Sequence, residues 1–264
     1  MRMAWDTPFR LGCLVLRLSF GYGFRLLVQG SGKVPRLFEI YSGSVCAVQW
    51  CDETLAGLLP EYDRQQSSLE RAEDGLAFGV TGEMSGHNGV ARLDEDDATS
   101  SYRHLFVSDE DIVVDIFAPE VPLVRELGMP DQADISLIQA GPAGSMMSAL
   151  VEGRTLFVNG ILRDGGQSVG YVLTCDVVYV NCRSDLGRGI CIPPGVPVHD
   201  SVGGALRRVE NSPLLEKLRA SSPVAEEYYG PLAHYVVFAE HERIDFLTAF
   251  QPRILLRTAA STMT

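Results

Sequence analysis

Short apolar runs separated by glycine and proline recur along most of this chain. Residues 11–50 contain four of them, which read LGCLVLRLSF, FRLLVQG, RLFEI and SVCAVQW. Gly21-Tyr22-Gly23 and Gly30-Ser31-Gly32 lie between successive runs, where glycine favours turns. Runs of this length that are rich in β-branched and aromatic residues predict strands, and we expect Gly21-Tyr22-Gly23 to form a hairpin turn.

The same pattern returns in the second half of the chain, where it again predicts strands. The runs with this pattern are Leu105–Val107, Ile112–Phe117, Asp134–Ile138, Arg154–Ile161, Tyr171–Val180, Gly189–Ile192, His234–Phe238 and Arg253–Leu256. No segment with helical periodicity exceeds about three turns, so the sequence predicts a mostly β fold.

Two local signals predict short helices within this β pattern. Ser212 can cap a helix that has Pro213 at its first position and runs to Ala220. The apolar residues of that helix, Leu214, Leu215 and Leu218, fall on one face. Asp52 can cap a second, shorter helix that ends at Pro60.

Residues 61–97 are polar and acidic, and they end in Asp94-Glu95-Asp96-Asp97. Such a segment has too little apolar content to pack by itself and is typical of a loop or linker. We therefore divide the chain into an N-terminal β unit (1–60), an acidic linker or loop (61–104) and a larger β domain (105–264).

Composition and charge restrict the class of protein. The chain has 264 residues, 46% of them hydrophobic, and a formal net charge of -12, which argues against strong non-specific binding to nucleic acids or anionic membranes. No apolar run is long enough to span a membrane, and residues 11–20 include Arg17 and lack a signal-peptide cleavage pattern. The six cysteines form no CxxC pair, so we expect no zinc site and reduced thiols in an intracellular protein.

The stretch VVYVNCRSDLGRGICIPPGVPVH, residues 177–199, contains the strongest candidate for chemistry. We expect its strand to break at Arg183 and Ser184, beside Gly187. An arginine fork, a hydroxyl and the free N–H groups of a turn can together hold an anion. An ordinary β-arch with a solvated arginine accounts for the same residues.

The order of elements from Asp134 to Arg257 resembles the dUTPase family, and most closely its single-chain herpesvirus branch and dUTPase-related relatives. The stretches that carry the resemblance are Ala133–Leu137, Thr155–Ile161, Cys182–Leu186 with Gly189-Ile190 and Pro193, and Val236–Phe238 with Asp245-Phe246 and Pro252–Ile254. Gly21–Leu27 is similar to the family's third motif. The resemblance implies a viral protein with a dUTPase-like β-barrel or sandwich domain, in the host cytoplasm or nucleus. It also implies a vestigial phosphate site at Arg183, Ser184 and Asp134.

Departures from the family pattern determine the functional expectation. Leu11–Arg25 contains Tyr22 but no carboxylate, although in the family this motif supplies the aspartate that activates water. Asp185 replaces a glycine in the phosphate motif, and TAASTMT after Arg257 does not resemble the family's glycine-rich tail. We therefore expect a non-catalytic, monomeric protein that acts through a protein partner, has no catalytic residue, and needs no cofactor.

Two alternatives remain open. The chain could be an active dUTP diphosphatase that uses Mg²⁺, releases dUMP and diphosphate, and takes its base from Asp134 or Asp200. The simpler account of Asp200 is a turn residue before Gly203-Gly204. The resemblance could also be accidental, which would leave a β-rich protein of another family.

Overall fold

The fold consists of two antiparallel β-sheets with short helices on one of them. The computed structural model describes residues 13–21, 23–30, 36–43, 47–52, 54–55, 80–84, 103–109, 111–128, 147–164, 167–184, 194–198, 205–239 and 242–257. Strands account for 66% of the structure and helices for 12%. The prediction of a mostly β fold is therefore confirmed.

Sheet 1 has eight described strands in the order β17-β11-β10-β9-β1-β2-β3-β8. Their bounds are β1 (Cys13–Gly21), β2 (Gly23–Gly30), β3 (Arg36–Ser42), β8 (Leu123–Gly128), β9 (Met147–Glu152), β10 (Thr155–Asp164), β11 (Gln167–Asp176) and β17 (Arg253–Arg257). β1 and β2 form the predicted hairpin, with Gly21 opposite Gly23. Gly23 has φ +134°, and a Cβ there would lie 2.2 Å from the Ser42 carbonyl oxygen, so only glycine fits.

Sheet 2 has nine described strands in the order β13-β14-β15-β16-β12-β4-β7-β6-β5. Their bounds are β4 (Ala47–Asp52), β5 (Val80–Met84), β6 (Arg103–Ser108), β7 (Ile112–Ala118), β12 (Tyr179–Ser184), β13 (Gly195–Pro197), β14 (Leu206–Val209), β15 (Ala233–Phe238) and β16 (Glu242–Thr248). Among the described strands, neither sheet closes on itself. The fold is thus a pair of open sheets.

One large apolar core contains side chains from both sheets. Side chains alternate between the two faces of a strand, so in β12 Val180 and Cys182 enter this core while Asn181 and Arg183 lie on the opposite face. We call these the inner and outer faces of sheet 2. Trp50 of β4, 1% exposed, is among the largest fully buried side chains of the core.

Two helices, α1 (Pro213–Ser221) and α2 (Ala225–Tyr229), accompany part of the outer face of sheet 2. Ser212 is the N-cap of α1 and Pro213 begins it, as predicted. The predicted apolar face is buried in a second cluster with side chains of four strands. This cluster includes Leu214, Leu215, Leu218, Cys51, Val113, Tyr179 and Leu247.

Several sequence predictions need correction. β5 lies inside the segment expected to be a loop, because its backbone pairs with β6 at the edge of sheet 2. Asp245 and Phe246, which are not in any predicted strand, lie within β16. The strands predicted as an N-terminal unit share both sheets with those of the predicted larger domain: β1 pairs with β9, and β4 lies between β12 and β7.

Asp52 accepts a hydrogen bond from the Thr54 N–H at 3.0 Å, and Thr54 and Leu55 are helical, which agrees with the predicted cap. The predicted strands at Asp134–Ile138 and Gly189–Ile192 lie outside the described residues. In the part of the chain that is described, no helix is long and apolar enough to cross a membrane.

Gly160 and Tyr171 face each other across β10 and β11 and supply a test of the packing in sheet 1. A Cβ on Gly160 would lie 2.3 Å from the Tyr171 ring, which is itself only 3% exposed. We expect Gly160→Ala to lower the free energy of unfolding by about 1–3 kcal/mol, because a well-packed side chain must move. Chemical denaturation measures this change.

Gly43→Ala is the matched control, since a Cβ at Gly43 meets nothing within 4 Å. This variant should unfold at the same denaturant concentration as the parent, within error. Equal stability of the Gly160 and Gly43 variants would contradict the packing described for Tyr171.

Candidate functional site

Arg183 is the second-last residue of β12. The sequence predicted that the strand breaks into a turn at this residue, but the residue is still in the strand. Its backbone is paired on both sides, with Ala47 of β4 and with Arg243 of β16. Its half-buried side chain belongs to the outer face of sheet 2. Ser184 ends the same strand, and its Cα lies opposite Glu242. The strand continues through both residues because each has ladder partners on β16.

The remaining predicted site residues are not described. Asp134 of the proposed phosphate site lies outside the described residues, as do Tyr22, Asp185 and Asp200. The phosphate site formed by Arg183, Ser184 and Asp134 therefore stays a prediction.

A row of buried polar side chains crosses the outer face of sheet 2 beside Arg183. Register places Asp245 opposite Asn181, Asn181 opposite Gln49, and Gln49 opposite Asp115, on four neighbouring strands. All four side chains are at most 4% exposed. We call this set the polar row. Buried polar groups require hydrogen-bond partners, so the row restricts which side chains can surround it.

Asp245, a member of the polar row, accepts hydrogen bonds from two neighbouring side chains. Its Oδ1 accepts hydrogen bonds from Arg243 at 2.6 Å and from His234 Nε2 at 2.9 Å. Burial alone would raise the pKa of this carboxyl. The His234 hydrogen bond and the Arg243 charge outweigh that effect, so the pKa of Asp245 is lowered from 3.8. Asp245 is consequently ionised at neutral pH.

His234 connects Asp245 to the start of α1. Its Nδ1 lies 2.7 Å from the Ser212 hydroxyl oxygen, which also accepts the Leu215 N–H at 3.1 Å. An ionised carboxylate can only accept, so in neutral His234 the proton is on Nε2. Nδ1 then accepts the Ser212 hydroxyl proton. We call Ser212, His234 and Asp245 the Ser-His-Asp chain. Its hydrogen bonds run in one direction: Ser212 donates to His234, and His234 donates to Asp245.

A cavity of about 1060 Å³ opens beside this chain, and both Ser212 and His234 line it. The cavity lies between α1, the β13–β14–β15 end of sheet 2 and the turn at Ala249–Gln251. More of its wall is polar than apolar. The charged lining side chains are Arg208, Glu210, Glu216 and Arg219, and the apolar ones include Val196, Leu232 and Phe250. A concave site of this size has room for a small molecule, and its polar and charged lining suits a ligand that carries polar groups.

Cys175 and Cys182 do not provide a reactive thiol. Cys182 faces the core and is fully buried, and burial raises its pKa well above the usual range. Burial likewise raises the pKa of Cys175, despite its hydrogen bond to Thr248. Among the described residues, no group of three or more His, Cys, Asp or Glu side chains is placed to hold a metal ion.

Sequence reasoning identified Ser212 as a helix cap but did not connect it to His234 and Asp245. The available signal was an aspartate between two apolar residues in a strand, as in the IDF of β16 and in IVVDIFA for β7. A buried aspartate must find donors, and sequence alone does not identify a donor on another strand such as His234.

Comparisons of this chain with protein-family models, curated proteins and solved structures gave no match. The functional argument therefore rests on the geometry described above.

Substituting Asp245 tests the importance of this network for stability. We expect Asp245→Asn to reduce the free energy of unfolding by about 3 kcal/mol, because it leaves Arg243 half-buried without its carboxylate. Asp176→Asn is the control, since Asp176 is exposed and the described side-chain hydrogen bond of its carboxylate is to half-buried Thr155. That change should alter stability by less than about 0.5 kcal/mol.

The pKa of Asp245 also predicts a pH dependence. Because the folded-state pKa lies below 3.8, the unfolded chain takes up this proton first as pH falls. The stabilising contribution is therefore present above pH 3.8 and is lost as pH falls through the folded-state pKa. Denaturation of the parent and Asp245→Asn proteins across this range should show a smaller loss for the variant. Parallel curves would contradict the assignment.

Proposed function

We propose that this chain is a dUTPase-related protein that does not hydrolyse dUTP and acts by binding a protein partner. The position of Arg183 supports the proposal that the chain does not hydrolyse dUTP. Val180 and Cys182 face the core between the sheets, so Arg183 lies on the far side of sheet 2 from sheet 1. The β1–β2 hairpin, which resembles the family's third motif, belongs to sheet 1.

This separation matters because hydrolysis of dUTP needs the phosphate-binding arginine and the third-motif hairpin at the same phosphate chain. A general base must lie within hydrogen-bond reach of the attacking water, and the phosphate-binding arginine must hold the same substrate. Arg183 instead neighbours Arg243 and the polar row, whose Asp245 already accepts two hydrogen bonds. The absence of a carboxylate from Leu11–Arg25 supports the same conclusion.

The surface that supports partner binding is strand β17 at the edge of sheet 1. β17 pairs with β11 on one side and is the last strand of that sheet among the described residues. Leu255 is 69% exposed and Leu256 is 43% exposed, and Phe250 is exposed just before the strand. An exposed apolar edge presents unpaired backbone groups that can take up a further strand.

We propose that the partner contributes an extended segment that adds to β17. Backbone hydrogen bonds would then supply affinity, while side chains beside Leu255 and Leu256 would supply selectivity. A segment with alternating apolar residues is the chemistry that matches this edge.

The first test is enzymatic. Purified protein with Mg²⁺ should not convert dUTP to dUMP above the background rate, because positioned acid–base groups typically contribute about 10²–10⁴-fold and the motif lacks its base. Product formation is followed by chromatography. Turnover that disappears in Asp200→Asn would overturn the proposal and support the alternative hydrolase.

The second test concerns the β17 edge. Leu255→Glu should abolish specific capture of a partner from cell extract, since a charge replaces an apolar contact at the edge. Leu123→Glu is the matched control, because Leu123 is 62% exposed on β8, the opposite edge strand of the same sheet. This control should capture the partner normally.

Amide hydrogen exchange on the captured complex shows whether a strand is added. The β17 amides should become protected, and the β8 amides should not. Capture that is unaffected by Leu255→Glu, or protection confined to other strands, would contradict the proposed edge.

A further inference from the structure

The Ser-His-Asp chain has a geometry that a structural cap does not require. Ser212 Oγ is 2.7 Å from His234 Nδ1, and His234 Nε2 is 2.9 Å from Asp245 Oδ1. The three residues come from the N-terminus of α1, from β15 and from β16. A nucleophile, a base and a group that orients the base are therefore within hydrogen-bond reach of one another.

The proton positions suit general-base catalysis. The Leu215 N–H bonds to Ser212 Oγ, so the serine proton is directed to His234 Nδ1. Asp245 accepts the hydrogen bond that Nε2–H donates. Nδ1 therefore carries no proton and can take one up. The ring uses its two nitrogens in the sense opposite to the common Ser-His-Asp arrangement, but either nitrogen of a neutral imidazole can act as the base.

The cavity supplies the space that a buried cap would lack. Ser212 and His234 both contribute to its wall, and Val196, Leu232 and Phe250 form an apolar part of the same wall. Its volume of about 1060 Å³ accommodates a small organic substrate. The N-terminal end of α1 at Ser212 also favours negative charge that develops on a substrate oxygen.

We propose that Ser212 is a nucleophile that accepts an acyl group from a small carboxylic ester whose acyl part lies in this cavity. Ser212 Oγ forms a bond to the carbonyl carbon while its proton passes to His234 Nδ1. The bond from that carbon to the alkoxy oxygen then breaks, and Nδ1 returns the proton to the departing alcohol. Water attacks the acyl-serine with the same base, which releases the acid and restores Ser212.

This inference goes beyond the proposed function, because it involves α1 and the cavity and requires neither Arg183 nor β17. Ser212 and His234 are assigned as catalytic residues, and Asp245 is a positioning residue that fixes the imidazole.

A fluorophosphonate probe with an alkyl chain tests the nucleophile directly. The folded full-length protein should gain one probe mass, located on Ser212 by peptide mass spectrometry. Ser212→Asn should not be labelled, and because asparagine is an equally good N-cap this variant should keep the stability of α1. Circular dichroism and thermal unfolding verify its fold.

His234→Gln should slow labelling of Ser212 by about 10²-fold or more, the usual contribution of a general base. Ser222→Ala is the control, since Ser222 is a buried serine at the opposite end of α1 and outside the cavity wall. That variant should be labelled at the parent rate. Hydrolysis of p-nitrophenyl butyrate should follow the same order among the variants.

Failure to label the folded parent protein would overturn the inference, as would labelling of Ser212→Asn at the parent rate. Unchanged labelling in His234→Gln would show that Ser212 is exposed but not activated and would also overturn it. None of these results bears on dUTP hydrolysis or on partner capture.

Discussion

A carboxylate buried in a β-sheet must be compensated locally, and Asp245 imposes this constraint on the outer face of sheet 2. Removing an ionised carboxylate from water costs several kcal/mol unless donors and positive charge replace the solvent. Arg243 and His234 provide both. His234 also holds Ser212, the cap of α1, so the helix that covers the neighbouring apolar cluster is attached to the sheet through this charge. Electrostatics and packing are therefore not independent on this face.

The same carboxylate specifies strand register. Asp245 is flanked in β16 by Ile244 and Phe246, which enter the core between the sheets. A slip of one residue would turn Asp245 towards that core and expose two large apolar side chains. The other members of the polar row lie in the same position on their strands, each between core residues. Four strands thus share one strong preference for the observed pairing.

Local rules accounted for the elements whose partners are close in sequence. Ser212, Pro213 and the leucine spacing were sufficient for α1, and two glycines were sufficient for the β1–β2 hairpin. The Ser-His-Asp chain was not predictable in this way, since His234 lies 22 residues from Ser212 and 11 from Asp245. β5 was missed for a related reason: its place in sheet 2 comes from backbone pairing with β6, and polar composition does not report such pairing.

The order of strands has a further consequence for how the halves of the chain depend on each other. β4 lies between β12 and β7 and contributes Trp50 to the core, while β1 lies between β9 and β2. Without the N-terminal strands, β12, β7 and β9 would each present an unpaired edge inside the fold, next to an unfilled core. The strands C-terminal to residue 147 therefore do not make up either sheet by themselves. The hydrogen-bond network of Asp245 on the outer face of sheet 2 therefore forms only when the N-terminal strands fill their places inside that sheet.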